Sequence, residues 1–140
     1  WLAKADDDLL VARHLLIDTD SWAFGSACYH AQQCAEKAVK AVLSGKGIHF
    51  PKTHDITELV ALLSAGLDIG LTPDEQDLLS DYAMTTRYPG EVEPLVREDA
   101  DSAVALAQTA VSAARSIVSD LAAPVADASP EAETEPELRH

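Results

Sequence analysis

The chain has 140 residues, carries a formal net charge of −14, and is 47% hydrophobic by residue count. This length and this ordinary apolar fraction suit one globular domain with its own core, and exclude two such domains. No run of about 18 apolar residues occurs, so the sequence predicts no membrane-spanning helix. Binding to a phosphate backbone depends on Lys and Arg. A chain this acidic is therefore a poor sequence-independent nucleic-acid binder, unless it keeps a local basic pocket.

The first predicted helix spans the opening residues and ends near Asp18. Its apolar residues recur at helical spacing, at Leu2, Ala5, Leu9, Ala12 and Leu16. Asp6, Asp7 and Asp8 are consecutive and point in different directions, so we expect a solvated helix end and no metal site there. The sequence predicts neither a metal nor a cofactor, because its histidines lack ligand-like spacing and it has no glycine-rich phosphate loop.

The second predicted helix runs from about Trp22 to Ser44 and carries two different faces. One face is a stripe of small apolar residues, namely Ala27, Ala31, Cys34, Ala35, Ala38 and Val42. Such a stripe predicts close packing against neighbouring helices. Gln32, Glu36 and Lys40 are spaced by four and form a polar stripe. The alternative to a functional role is that Glu36, Lys37 and Lys40 form a solvated face, on which a Glu–Lys pair contributes only about 0.2–0.5 kcal/mol.

Turn and start signals divide the next part of the chain into two further helices. The third helix is expected to start after Asp55 as its cap, with Thr53 as a competing cap, and to run through Leu67, where Gly66 and Gly70 mark its end. The fourth is expected from Pro73 to about Arg87, because a proline followed by acids is typical of a helix start. Its predicted core residues are Leu78, Leu79, Tyr82 and Ala83.

The last predicted helix opens at Glu93-Pro94 and keeps a helical apolar period, which includes Val96, as far as Leu121. Ala, Pro, Glu and Asp dominate the residues that follow, and this composition cannot bury enough surface to order a chain. The sequence therefore predicts an all-α, up-and-down helical bundle of about five helices in residues 1–120. Residues 121–140 are expected to form a disordered acidic tail.

Three short blocks of the chain stand out by their order and spacing. The first is AQQCAEKAVKAVL at residues 31–43, the second is THDI at 53–56 followed by Leu59, and the third is TRYP at 86–89. Together with the opening WLAKADDDL, these blocks resemble the HEPN family of small helical-bundle domains. The resemblance implies a bundle that often dimerises and a role in nucleotide or RNA recognition. It also implies a small nucleotidyltransferase as a partner in toxin–antitoxin or defence systems.

Transferred to the matching positions, the resemblance implies a ligand-binding site with six members: Arg87, Tyr88, His54, Lys40, Glu36 and Gln32. In this reading Arg87 offers a bidentate fork to a phosphate, and Tyr88 adds a stacking face. The structural alternative is that Arg87 binds the last carbonyls of helix four or pairs with a carboxylate from a neighbouring helix. His54, likewise, could hold its loop against Glu36 or Gln32 without any ligand.

Many members of the family are ribonucleases that use an Arg followed, after four to six residues, by a His. This chain departs from that pattern, because the positions at that spacing from Arg87 are Val92, Glu93 and Pro94. The missing imidazole removes the obvious general base for attack by a ribose 2′-hydroxyl, so we expect a binding module. Two alternatives stay open. One is a divergent metal-independent endoribonuclease that uses Arg87, Tyr88 and His54, and the other is a structural subunit that docks a nucleotidyltransferase.

The sequence also gives expectations for the oligomeric state and the cellular location of the protein. Helix four offers Tyr82, Met84 and Tyr88, more large side chains than a small bundle core needs, so we expect a homodimer that covers them. Cys28 and Cys34 lie six residues apart on one helix, and we expect two unpaired structural thiols. No basic segment followed by an apolar one opens the chain, and a cytoplasmic location is expected.

Overall fold

The computed structural model describes residues 1–17, 22–85 and 94–123. Over these ranges the chain forms five α-helices and no strand, which confirms the all-α prediction: α1 (Leu2–Ile17), α2 (Trp22–Gly45), α3 (Ile56–Val60), α4 (Pro73–Thr85) and α5 (Arg97–Ala122). Most of the predicted acidic tail, residues 124–140, lies outside the described residues. None of the described helices is long and apolar enough to cross a membrane.

The central helix is α2, and it packs against each of the other four helices. Its stripe of small residues is fully buried, as predicted, at Ala27, Ala31, Cys34, Ala35, Ala38 and Val42. Small side chains let neighbouring helices approach closely. Because α2 is enclosed on several sides, its polar stripe is drawn into the bundle together with its apolar one.

α1 and α5 pack on α2 and on each other, and the three helices form most of the core. The apolar face of α1 faces this core, with its most deeply buried members at Ala5, Leu9 and Ala12. α5 contributes a long row of small buried residues, namely Ala100, Ala103, Val104, Ala107, Ala110, Val111 and Ala114. At the outer edge, Arg115 of α5 donates to Asp6 of α1, and Arg13 of α1 donates to Gln108 of α5.

The start of α3 is fixed by two sets of hydrogen bonds. Asp55 is the N-cap, as predicted, and its carboxylate accepts from two backbone N–H groups of the first turn. The backbone N–H of Ile56 donates to Oγ of Ser80 in α4 at 2.9 Å. These contacts tie the beginning of α3 to α4, and they fix the loop in which His54 lies.

α3 is shorter than predicted, since it ends at Val60 and not at Leu67. Beyond Val60 the backbone forms tight turns, in which the N–H of Leu63 donates to the carbonyl of Val60 at 2.9 Å. Leu63 and Leu67 still pack against the core from this irregular segment. Their helical spacing therefore reflects burial, and it does not reflect a continuous helix.

α4 begins at Pro73, as predicted, and Thr72 and Glu75 exchange side-chain to backbone hydrogen bonds across its first turn. Three of its four predicted core residues are buried, but the prediction for Leu78 is wrong, because this side chain is 42% exposed. Consecutive helical residues differ by about 100° around the axis, so Leu78 faces outward while its buried neighbour faces the core. The predicted end of this helix near Arg87 lies outside the described residues.

α5 begins at Arg97, later than the predicted opening at Glu93-Pro94. The N-cap residue, Val96, is extended, and its N–H donates to Oδ2 of Asp99 at 2.9 Å. The Asp99 carboxylate, one turn inside the helix, thus accepts a hydrogen bond from the backbone N–H of the N-cap residue. This contact stabilises the first turn of α5. Val96 is exposed, so its predicted place in the apolar stripe is wrong.

Candidate functional site

A buried carboxylate, that of Glu36, is the centre of the candidate site. Its side chain is only 3% exposed. Oε1 accepts hydrogen bonds from Nδ1 of His54 at 2.8 Å and from Nε2 of Gln32 at 3.1 Å. Oε2 accepts from Nζ of Lys40 at 2.7 Å. A carboxylate this deeply buried needs such partners, because its charge loses its hydration on folding.

Two glutamine side chains complete this network, and we refer to Gln32, Gln33, Glu36, Lys40 and His54 as the Glu36 cluster. Nε2 of Gln32 also donates to the backbone carbonyl of His54 at 2.9 Å. Nε2 of Gln33 donates to Oε1 of Gln32 at 2.7 Å and lies 3.3 Å from Oε1 of Glu36. His54 is thus held at its ring by Glu36 and at its carbonyl by Gln32.

The ammonium group of Lys40 is enclosed by two aromatic rings as well as by Glu36. Its Nζ lies 5.4 Å from the ring centroid of Trp1 and 5.7 Å from that of Phe50. The two rings meet edge to face, with centroids 6.1 Å apart. These distances are within the range of cation–π attraction, which grows as water is excluded. The rings therefore shield the Lys40–Glu36 pair and strengthen it.

Two opposing effects act on the pKa of Glu36. Burial raises this pKa, because the charged form loses hydration. Hydrogen bonds from Lys40, His54 and Gln32 favour the charged form and outweigh burial, so the pKa of Glu36 lies below its ordinary value. Glu36 is therefore an anion at neutral pH.

His54 is the member of the Glu36 cluster that reaches the surface, since its side chain is 53% exposed. An ionised carboxylate only accepts hydrogen bonds, so Nδ1 of His54 carries the hydrogen in this contact. In the neutral ring Nε2 is then an acceptor and a potential base, whereas in the protonated ring it is a donor. Glu36 thus orients an exposed imidazole and sets its tautomer.

The structure brings together four of the six residues proposed as ligand-binding from the sequence: Gln32, Glu36, Lys40 and His54. The alternative of a solvated helix face is wrong for Glu36 and Lys40, because both are buried. The alternative that His54 holds its loop against α2 is compatible with the observed contacts. Arg87 and Tyr88 lie outside the described residues, so their convergence on this cluster stays a prediction.

A second buried carboxylate, that of Asp8, contradicts the prediction of a solvated helix end. Oδ1 of Asp8 lies 2.9 Å from Nδ1 of His30, and Oδ2 accepts from Nζ of Lys37 at 2.6 Å. Asp6 and Asp7 do not share this environment. Asp8 precedes the buried Leu9, at the edge of the face that α1 packs against α2, and there it meets the polar side chains of α2.

Three members of the site environment were missed by sequence reasoning. Gln33 stood beside the polar stripe but outside its spacing of four. Trp1 and Phe50 belong to the start of α1 and to the loop before α3, and no local pattern connects either with Lys40. The available signals were Trp1 at the head of the opening block WLAKADDDL and Phe50 three residues before the block at 53–56. Within the described ranges, no group of three His, Cys, Asp or Glu side chains is arranged to hold a metal ion.

Comparison with known proteins places the chain in a family. The family model described as the HEPN domain matches residues 1–117, which is most of the chain. A 50-residue stretch is 46% identical to "Putative toxin MJ1304" of Methanocaldococcus jannaschii, and covers 36% of this chain and 31% of that protein. The chain thus spans about a third of the length of this curated relative. No solved structure matches the chain significantly. The extent of the family match shows that the chain belongs to the HEPN domain family.

Proposed function

We propose that this HEPN domain is a toxin-like nucleotide- or RNA-binding module that acts as a homodimer with a small nucleotidyltransferase in a toxin–antitoxin or defence pair. Family membership supports the toxin-like role, as does the name of the relative that shares 46% identity over 50 residues. The proposed ligand contacts are Arg87, Tyr88, His54, Lys40, Glu36 and Gln32. A cytoplasmic location fits this role.

One observation carries the proposal, namely an exposed imidazole held by a buried carboxylate. The ring of His54 is fixed at Nδ1 by Glu36, and its carbonyl is fixed by Gln32. Nε2 is therefore presented in a defined direction, and little side-chain entropy remains to be lost when a ligand binds. A phosphate or base edge that hydrogen-bonds to Nε2 would add Arg87 and Tyr88 as further contacts.

Ligand titration tests this proposal directly. The probes are adenosine monophosphate, adenosine triphosphate and a short single-stranded RNA, each titrated against the full chain by calorimetry or fluorescence anisotropy. His54→Gln keeps a side chain that can donate to Glu36, but removes the imidazole edge. We expect it to weaken binding of the preferred probe by about 10-fold, which corresponds to roughly 1.4 kcal/mol.

The matched control is His49→Gln, since His49 is exposed in the same loop and lies outside the Glu36 cluster. This variant should bind as the unmodified chain does. Binding that is equally weakened in both variants, or unaffected by Arg87→Ala together with His54→Gln, would contradict the proposed site. Absence of binding to all three probes would contradict the proposed ligand class.

A second candidate function, metal-independent RNA cleavage, is favoured by the same Glu36–His54 contact. A carboxylate that fixes one ring nitrogen of a histidine leaves the other nitrogen ready to accept a proton, as a general base requires. His54 could in this way replace the histidine that is missing at positions 92–94. The binding function remains our first choice, because the Arg-to-His spacing of the family's ribonucleases is absent from the sequence.

Cleavage of RNA in the presence of a chelator separates the two candidates. We expect little or no cleavage from the purified chain. Robust cleavage that is abolished by Arg87→Ala and by His54→Gln would establish the ribonuclease. Cleavage that neither substitution affects would indicate a contaminating enzyme.

A further inference from the structure

The loop between α2 and α3 is basic, although the chain as a whole is acidic. Residues 37–54 contain four lysines and no aspartate or glutamate, whereas the whole chain has a net charge of −14. Two of these lysines neutralise the buried carboxylates of α1 and α2. The other two, Lys46 and Lys52, are exposed, and among the described residues none of the ion pairs includes them. The loop therefore presents two uncompensated positive charges to solvent.

An exposed aromatic ring packs against this loop. Phe50 lies between the two exposed lysines in the sequence, and its ring meets that of Trp1 edge to face. The ammonium group of Lys40 lies over the Trp1 ring, yet 48% of Trp1 remains exposed. The exposed part of the indole can therefore stack on a planar ring. We refer to Trp1, Lys46, Phe50 and Lys52 as the loop track.

The loop track is continuous with the Glu36 cluster. Lys52 precedes His54 by two residues, so their Cα atoms are at most about 7 Å apart. Lys40 belongs to the cluster and lies close to both aromatic rings of the loop track. The carboxylate that follows His54, that of Asp55, accepts hydrogen bonds from two backbone N–H groups of α3. A ligand that contacts His54 can therefore extend along the loop and meet positive charge there.

We propose that the loop track binds a single-stranded nucleic acid that continues beyond His54, with a base stacked on Trp1 and phosphates beside Lys46 and Lys52. The inference rests on the proposed ligand site at His54, and it narrows the ligand to a strand of several nucleotides. Proteins bind single strands through basic side chains that follow the backbone and aromatic rings on which bases stack. The acidic remainder of the chain permits this, because exposed charges more than about 8 Å apart are largely screened at physiological salt.

Three probes of the full chain test the class of ligand. They are uridine monophosphate, hexauridylate and hexaglutamate, and the last carries a similar charge without any base. Fluorescence anisotropy of labelled hexauridylate gives its affinity, and competition gives the affinities of the other two. We expect hexauridylate to bind at least about 10-fold more tightly than either the monophosphate or hexaglutamate.

Paired variants of the chain locate the phosphate contacts. Lys46→Gln with Lys52→Gln removes both charges of the loop track. Arg97→Gln with Arg115→Gln removes two exposed charges from α5 and makes the same change in net charge. Each phosphate contact on a single strand adds about 0.7 to the slope of log K against log salt, so the lysine pair should lower this slope by about 1.4. It should weaken hexauridylate binding by about 10-fold, and the arginine pair by less than about 2-fold.

Trp1 itself reports the stacking of a base. The chain has two tryptophans, so Trp22→Phe leaves Trp1 as the single fluorescent indole. Hexauridylate should quench this fluorescence over the same concentration range in which the anisotropy rises. Trp1→Leu keeps an apolar side chain against Phe50 but removes the stacking surface. We expect it to weaken hexauridylate binding by about 10-fold and binding of the monophosphate by less than about 2-fold.

Several results would overturn the proposal. They are absence of hexauridylate binding, equal losses for the lysine and arginine pairs, Trp1 fluorescence that hexauridylate leaves unchanged, and equal binding of hexaglutamate, which would assign the loop to an acidic peptide. Circular dichroism of each variant establishes that its helices are intact.

His54→Gln separates this inference from the proposed function. It should weaken the monophosphate and hexauridylate alike, whereas the variants of the loop track should weaken hexauridylate alone. Hexauridylate binding that needs the loop track but not His54 would contradict the ligand site at His54 and support the loop track. Losses confined to His54→Gln would have the opposite meaning.

Discussion

Removal of the Lys40 ammonium should harm the fold severely, because Lys40 neutralises a buried charge. Lys40→Met keeps a long side chain between Trp1 and Phe50 but leaves the Glu36 carboxylate without its cation. Breaking a buried ion pair by removing one partner costs about 3–5 kcal/mol. Urea unfolding at pH 7 should show a loss of this size. Lys46→Met, at an exposed lysine, should change the unfolding free energy by less than about 0.5 kcal/mol.

The pKa of Glu36 also makes a prediction about acid. Because this pKa is depressed in the folded chain, Glu36 contributes stability that is fully present above its unfolded pKa of about 4.3. That contribution is lost as the pH falls through the lower, folded pKa. Glu36→Gln lacks it at every pH. The difference in unfolding free energy between the unmodified chain and Glu36→Gln should therefore shrink between pH 7 and pH 3, and a constant difference would contradict this account.

The two cysteines should be inert in the folded chain. Burial raises the pKa of Cys28 to about 12 and that of Cys34 to about 12, and both thiols are free. At pH 8 only about one thiol in ten thousand is then the reactive thiolate. Ellman's reagent should modify both cysteines quickly in guanidinium chloride and at least about 100-fold more slowly in the native chain. Rapid modification of one native thiol would show that its surroundings open.

At the scale of elements, a glycine lets the turn before α4 approach α5 closely. Gly70 has φ +86°, and a Cβ atom built there would lie 2.8 Å from Cγ2 of Thr109. A non-glycine residue at positive φ costs roughly 1–2 kcal/mol of backbone strain. Gly70→Ala should lower the free energy of unfolding by more than this, because the new Cβ atom also meets Thr109. Gly47→Ala is the matched control, because Gly47 also has a positive φ but has open space around it.

A double variant separates the two terms at Gly70. Thr109→Ser removes the methyl group but keeps a hydroxyl that can donate to the carbonyl of Ala105. In the Gly70→Ala background this change should recover the steric part of the loss and leave the backbone part, as measured by a double-mutant cycle in urea. No coupling between the two positions would mean that the loop shifts to avoid the contact.

Local sequence patterns predict a helix well where one of its faces is buried along its whole length. The small-residue stripe of α2 is such a case, and the start of α4 was predicted correctly because a proline at the first helical position is a local signal. The length of α3 was not, because Leu63 and Leu67 reach the core from turns. Burial of Glu36 and Lys40 was not predictable from the period either, since Trp1 and Phe50 reach Lys40 from distant parts of the chain, whereas the family resemblance did group His54 with Glu36. A helical period cannot reveal such contacts.

At the scale of the whole molecule, the homodimer stays a prediction. Of the three large side chains of helix four expected at its surface, Met84 is 54% exposed, and Tyr88 lies outside the described residues. Tyr82 is buried within the chain, so it does not supply spare apolar surface. α1 does, because Leu10 is 57% exposed and Ile17 is 77% exposed. These residues are seven apart and lie on one face of the helix.

Light scattering at micromolar concentration should give about twice the chain mass of 14.9 kDa. Leu10→Ser with Ile17→Ser should shift this mass towards the monomer, since it removes the exposed apolar face of α1. Leu121→Ser, at an exposed leucine of α5, serves as the control and should leave the mass unchanged. A monomer for the unmodified chain would favour a role as the structural partner of a different protein.

The buried position of Glu36 has a consequence for genetic selection. In a screen for inactive variants, substitutions of Glu36, Gln32 and Lys40 would be recovered often, but they would lower the amount of folded protein in the cell. Their phenotypes would report abundance and not chemistry. His54 is the exception, because its half-exposed ring can be replaced at little cost to the core by a side chain that still donates to Glu36, such as Gln. Mutational drift in this chain can thus abolish the site through one surface residue, whereas remodelling it for a new ligand would require several coupled changes in the interior.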